Sequence, residues 1–176
     1  RALVARVDAL GPAASACDDA ELRVQARQLR AVLRRDGFAF EPVARAFALV
    51  REAASRVLGQ RHYETQLMAG WYLLGGSLVE MATGEGKTFA ATLPAVTAAL
   101  AGLPVHVITV NDYLAQRDAA TMAPLYEFFG LSVSAVVHDM PNPQRRAAYA
   151  GDVTYASNKE LAFDYLRDRA ALGDRA

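Results

Sequence analysis

The chain has 176 residues, 53% of them apolar, which sets it at about one domain with a real core and room for a small appendage. Its formal net charge is zero, which excludes a global electrostatic pull toward nucleic acid or anionic lipid and leaves only local patches. The single cysteine, Cys17, excludes an intramolecular disulfide and fits a reducing compartment, where it reads as a small half-buried hydrophobe.

At the start, Arg1-Ala2-Leu3-Val4 runs into Arg6 and Asp8 with no long apolar core, so it does not read as a secretory signal. The first residue is not Met, as in a trimmed or processed chain. Residues 1–17 show no strong period and read as loose chain or a helix remnant. Asp18-Asp19-Ala20-Glu21 is a capping box that opens a helix through about Arg35. Leu22, Ala26, Leu29 and Leu33 form one face of it, opposite Arg23, Arg27, Arg30 and Arg34, and Asp36-Gly37 ends it. Glu41-Pro42 opens a second helix, with proline at a first-turn position. Val43, Phe47, Val50, Ala54 and Val57 make its apolar stripe, and Gly59 closes it. Arg61–Gln66 leads into an apolar helix to about Leu74, where Trp71 and Tyr72 are expected in the core.

Ser77–Met81 reads as a short strand, followed by a glycine loop and a helix over about 87–101. Pro104–Val110 is a buried strand. Asn111 and Asp112 are mainly caps for a helix through Phe129, with Gly130 as its stop. Leu131–Val137 is a third strand, Asn142–Tyr149 a short helix, Asp152–Ala156 a fourth strand and 158–169 a last helix. Phe89–Val110 carries no Asp, Glu, Lys or Arg, yet Pro94, Gly102 and Pro104 break it, so it splits into a buried helix and strand and does not span a membrane. Strands alternating with helices from residue 77 onward imply right-handed βαβ units and a parallel sheet. Residues 1–60 thus read as a helical region expected to pack on the core, and 61–176 as an α/β core that looks unfinished.

The loop itself is Met81-Ala82-Thr83-Gly84-Glu85-Gly86-Lys87-Thr88. Gly84 and Gly86 let successive backbone N–H groups turn inward around an anion, where a Cβ would obstruct them. Lys87, the candidate catalytic residue, supplies a point charge for the β- and γ-phosphates, and the Thr88 hydroxyl is placed to ligate Mg²⁺. The helix starting near Lys87 aims its positive end at the same phosphates. The strict P-loop pattern has glycine where Met81 stands, so the match is to the looser helicase-like form ending T-G-x-G-K-T. The competing reading is a plain glycine-rich turn with a surface lysine, which the strand–loop–helix order disfavours. Glu85 beside phosphates would be repelled unless it meets a cation or solvent, and reads as loop chemistry. His62, His106 and His138 lack metal-ligand spacing. Arg167, beside Asp164 and Asp168, reads as a salt-bridged surface residue.

Four segments together carry a family resemblance: Arg61-His62-Tyr63-x-x-Gln66, Glu80-Met81-x-Thr83-Gly84-Glu85-Gly86-Lys87-Thr88, Val105–Asp118 and Phe163–Asp168. With Ala46–Ala53 of the helical lead-in, they make residues 18–168 resemble the first motor domain of the SecA preprotein translocase ATPases. The resemblance implies a P-loop NTPase fold of the RecA-like or DEAD-like kind, a partial parallel sheet with helices on both faces, preceded by the helical region. It implies a motor that uses ATP, with Mg²⁺, to push unfolded preproteins through the Sec channel. It would be cytoplasmic and peripherally associated with the bacterial inner membrane, with an anionic membrane surface as a further partner and no nucleic acid. Gln66 falls where the family's glutamine contacts adenine, and Gly84, Glu85, Gly86, Lys87 and Thr88 fall on its phosphate-binding residues. A glutamine amide suits adenine because it donates and accepts at once.

Ala82 stands where a longer, often basic residue is common, Glu64 replaces an Asp, and Thr154–Phe163 departs from the family pattern in five places. Both a housekeeping motor and a divergent paralogue stay open. An ATPase also needs a carboxylate pair at a strand end to hold Mg²⁺ and activate water. No apolar run here ends in Asp-Glu, and Asp152 precedes its strand. The chain is therefore expected to hold base and phosphate contacts without the hydrolysis machinery. A nucleic-acid helicase fragment and a non-catalytic nucleotide-binding module remain as alternatives.

Overall fold

The computed structural model describes residues 1–173. In chain order the elements are α1 (Ala2–Ala16), α2 (Asp19–Asp36), α3 (Phe40–Val57), α4 (Glu64–Leu74), α5 (Lys87–Ala90), α6 (Thr92–Leu100), β1 (Val105–Thr109), α7 (Asp112–Phe128), β2 (Val133–Val136), α8 (Asn142–Tyr149), β3 (Val153–Ser157) and α9 (Asn158–Gly173).

The first correction falls on residues 1–17, where a full helix over Ala2–Ala16 replaces the expected loose chain or helix remnant. Leu3, Val4, Val7 and Ala14 of α1 are buried, and the helix packs along α3. Alanine, leucine and valine fill most of α1, so its sequence offers little polar contrast from which a helical period can be read. Side chains tie it down: Ser15 Oγ donates to Glu52 Oε2 at 2.7 Å, and Arg6 grips Glu41 through two nitrogens.

The capping box of α2 forms as its sequence dictates. Glu21 N donates to Asp18 Oδ1 at 2.8 Å, and Asp18 N donates to Glu21 Oε2 at 2.8 Å. The arginine face of α2 has a use beyond solubility. The last carbonyls of a helix lack intrahelical partners, and α2 supplies them for two neighbours. Arg23 Nε donates to Phe128 O at 3.0 Å, and Arg30 Nη2 to Phe129 O at 3.1 Å, both at the end of α7. Arg34 Nε donates to Ala101 O at 3.3 Å, just past α6.

One buried cluster runs through Leu22, Leu29 and Leu33 of α2, Phe47 and Val50 of α3, Leu93 and Leu100 of α6, Leu125 and Tyr126 of α7, and Val153 and Tyr155 of β3. Helices α3, α4 and α6 meet closely at Gly70, where a Cβ would lie 3.1 Å from both Phe47 Cζ and Leu93 Cβ. Among the described helices none is long and apolar enough to cross a membrane.

The sheet has three parallel strands in the order β1-β3-β2, with Val153 facing both Val105 and Val133. β3 is central and buried at all five positions. Its alternation sends Val153 and Tyr155 toward the cluster shared with α7, and Thr154 and Ala156 toward α8. Helices therefore cover both faces, as in an α/β sheet.

Three further corrections follow. Residues 77–81 are not a strand, and Leu78 is 100% exposed. A strand is held by a ladder, and this run pairs with none of the three described strands. The helix expected over 87–101 breaks at Ala91, between α5 and α6. Pro94 has no N–H for the Ala90 carbonyl, and its ring crowds that carbonyl. Tyr72 is exposed, while Trp71 is half-buried with its ring edge-on to Phe40 at 6.1 Å.

Candidate functional site

The glycine loop follows α4 and the irregular run 77–81 and ends on α5. Gly84 has φ 90° and Gly86 φ 77°, conformations that any Cβ would strain. At Gly86 the constraint is doubled, because a Cβ there would lie 2.6 Å from Gln66 Nε2. Gln66 sits in the first turn of α4 and is 4% exposed. Its Oε1 accepts from Tyr63 N at 2.9 Å, and its Nε2 donates to Glu85 O at 2.9 Å. One N–H and one carbonyl lone pair of the amide are left over.

Beside Gln66 lies an open cleft of about 550 Å³, lined among others by Gln60, Arg61, Tyr63, Gly84 and Gly86. Gln66, Gly84, Glu85 and Gly86 thus come together on one cleft. Lys87 is exposed and turned back on its own loop, donating to Met81 O at 2.7 Å and Ala82 O at 2.9 Å. An ammonium has three donors, so one stays free. Glu85 curls over the loop: its Oε2 accepts from Ala82 N at 2.8 Å. The carboxylate therefore meets a backbone N–H, a group of the kind an anionic ligand would use. Thr88 is half-buried and faces α7, with Oγ1 3.4 Å from Asp118 Oδ2.

These residues fit a nucleotide. The left-handed glycines, the lysine with a spare donor and the cleft against a glutamine amide are the parts that phosphates and a base require. Helix α5 contributes less than expected, since it is only one turn before the break at Ala91. Among the described residues no group of three or more His, Cys, Asp or Glu side chains is arranged to hold a metal ion. A Mg²⁺ at Thr88 would take its remaining ligands from phosphate oxygens and water.

Two neighbours of the site carry more than their motif reading suggested. His62 is 1% exposed and stacks on Phe89 at 3.8 Å between ring centroids. Its Nε2 lies 3.1 Å from Phe89 O, the carbonyl just before the α5–α6 break, and 3.1 Å from Thr92 Oγ1. Burial lowers the His62 pKa from 6.5 to about 4, so the ring is neutral. It pins the start of α4 to the segment that follows the loop. Asp112 does more than cap. Asn111 Oδ1 is the cap, accepting from Leu114 N at 2.9 Å. Asp112 joins the ends of the other strands, accepting from His138 N and from Ser157 Oγ at 2.7 Å each.

Away from the cleft, Arg145 is 5% exposed and holds α8 to α9. Its Nη1 reaches Glu160 Oε2 at 2.8 Å and Asp164 Oδ2 at 2.7 Å, and its Nη2 reaches Val137 O and His138 O. Arg167 pairs with Asp164 at 2.9 Å from the surface side, the salt-bridged role its sequence suggested.

The SecA DEAD-like domain profile matches residues 1–176. The chain is similar to Protein translocase subunit SecA 2 of Bordetella avium, at 53% identity over 99% of this chain and 26% of that protein. It is 54% identical to Protein translocase subunit SecA 2 of Nitrosospira multiformis, over 89% of this chain and 24% of that protein. With Protein translocase subunit SecA of Beijerinckia indica it shares 52% identity over 96% of this chain and 18% of that protein. The chain therefore spans about a quarter or less of the length of these relatives. A profile match over the full chain and the parallel α/β sheet agree: the chain belongs to the SecA DEAD-like domain family.

Proposed function

We propose that this chain is the adenine-nucleotide-binding part of a SecA-type translocase motor, one that spends ATP to move unfolded preproteins through the Sec channel. The observation that carries the reading is the glycine loop, with Gly84 and Gly86 left-handed, closing against a buried Gln66 on the wall of one cleft. The relatives' names, Protein translocase subunit SecA and SecA 2, supply the translocase half of the proposal.

In this reading the residues divide the work. Gly84, Glu85 and Gly86 offer backbone N–H groups to phosphate oxygens. Lys87 exchanges the Met81 and Ala82 carbonyls for phosphate, a charge-assisted contact. Thr88 holds Mg²⁺ through its hydroxyl, and Gln66 turns its spare N–H and lone pair to adenine. Bound Mg-ATP supplies the phosphoanhydride whose cleavage drives the motor. Residues 1–60 act as a flank of the nucleotide-binding core 61–176. The whole motor works from the cytoplasm, docked peripherally on the inner membrane, with the Sec channel, preproteins and an anionic lipid surface as its partners.

Base selectivity tests the reading. Guanine presents O6 where adenine presents its amino group, so the same glutamine geometry would set two acceptors face to face. ADP is expected to bind more tightly than GDP by about 1–3 kcal/mol, the cost of an unpaired buried polar group. Gln66→Ala is expected to weaken ADP and leave GDP nearly unchanged. Equal competition by ADP and GDP for the wild-type chain would remove Gln66 as the base reader.

A further inference from the structure

We infer that Asp118 is a positioning residue for the magnesium ion, acting through the Thr88 hydroxyl; this rests on the nucleotide-binding reading above. Asp118 stands on α7, thirty residues along the chain from Thr88. It is 7% exposed. Its two oxygens are served unequally. Oδ1 takes a two-pronged contact from Arg117, Nε at 2.9 Å and Nη2 at 2.7 Å. Oδ2 has Thr88 Oγ1 as its one partner among the described residues, at 3.4 Å, the outer edge of a hydrogen bond. A buried carboxylate oxygen with one long bond is under-satisfied, and burial makes that costly.

The arrangement suits a hydroxyl that must ligate a cation. Thr88 has one proton to donate and two lone pairs. When the proton goes to Asp118, the lone pairs are left for the metal and the side chain is held in one rotamer. A carboxylate behind a metal ligand also raises that ligand's basicity, and such outer partners set orientation as much as the ligands do. Arg117 balances the charge on the far oxygen, leaving Oδ2 to serve Thr88. Because α7 starts at the end of β1, the same contact ties the loop to the sheet.

A purely structural Asp118 would matter equally with and without metal, and that separates the two roles. ADP is titrated calorimetrically into the 176-residue chain, once with Mg²⁺ and once with EDTA, and Mg²⁺ is titrated into the ADP-saturated chain, for wild type, Asp118→Asn, Thr88→Ala and the double variant. Asp118→Asn is expected to lose about tenfold in apparent Mg²⁺ affinity at saturating ADP, with its ADP affinity in EDTA unchanged. On the Thr88→Ala background it should cost nothing more. Wild-type Mg²⁺ affinity in Asp118→Asn, or an equal loss in EDTA, overturns the assignment while the nucleotide site stands. No ADP binding by wild type in either buffer instead sinks the nucleotide reading, and this inference with it. Thermal melting checks the fold of each variant; should Asp118→Asn not fold, Asp118→Ser carries the same comparison.

Discussion

His62 shows how a residue that does not touch ligand can still set a site. A neutral imidazole buried against Phe89 donates to the carbonyl just before the helix break at Ala91, and the segment bearing Gln66 is thereby fixed against the loop. Folding lowers the pKa from 6.5 to about 4, so the unfolded chain binds the proton more readily. The His62 contribution is full above pH 6.5 and is lost as pH falls from there toward 4. At 1.36 kcal/mol per unit the whole effect is about 3 kcal/mol. Urea unfolding between pH 6.5 and 5.5 should show stability falling with acid. His62→Phe keeps the stacked ring and leaves the carbonyl to Thr92 Oγ1, which already donates to it at 2.7 Å. Its profile is expected to be flat over that window; a slope equal to wild type would assign the acid sensitivity elsewhere.

At the scale of elements, the helical region and the α/β core share one buried cluster, and Phe47 is its hinge point, touching the close approach of α3, α4 and α6 at Gly70. Phe47→Ala removes a fully buried ring and is expected to cost about 3–5 kcal/mol. Circular dichroism and the fluorescence of Trp71, the chain's single tryptophan, should move together in denaturant. Because Trp71 packs on Phe40 of α3, a Trp71 transition that precedes the main loss of helicity would mean that α1–α3 come away from the core on their own. Where local chemistry fixes an element, the sequence foretells it: Asp18 and Glu21 bound α2, and Asn111 caps α7. Where a neighbour decides, it does not. Ser77–Met81 has strand composition but pairs with no described strand, and α1 hides its period among alanines. Pro94 was visible, yet only the placement of His62 and Thr92 on the Phe89 carbonyl shows how the break is held. The site divides in the same way. Gln66 and Gly84–Thr88 each sit in a short run of neighbouring residues that can be read as a motif, whereas Asp118 comes to Thr88 only through folding, from thirty residues away.

Across the whole molecule, the carboxylates at the strand ends set what the site can do. The strand ends carry Asn111-Asp112, His138-Asp139 and Lys159-Glu160, and no adjacent Asp-Glu pair. Of these carboxylates Asp112 is committed to His138 and Ser157, and Glu160 to Arg145 and His138. Residues 1–176 are therefore expected to bind nucleotide and to hydrolyse ATP negligibly. A phosphate-release assay in which turnover appears, and disappears in Lys87→Ala, would reveal a base among these residues.

The central claim is that the loop at 84–88 holds nucleotide phosphates, and calorimetry of Mg-ADP on wild type and Lys87→Ala tests it most directly. Lys87 offers one ammonium to the phosphates, a charge-assisted contact, so the variant is predicted to lose about 1.5–3 kcal/mol of binding free energy with its melting temperature little changed. Equal Mg-ADP affinity in the two proteins would contradict the account.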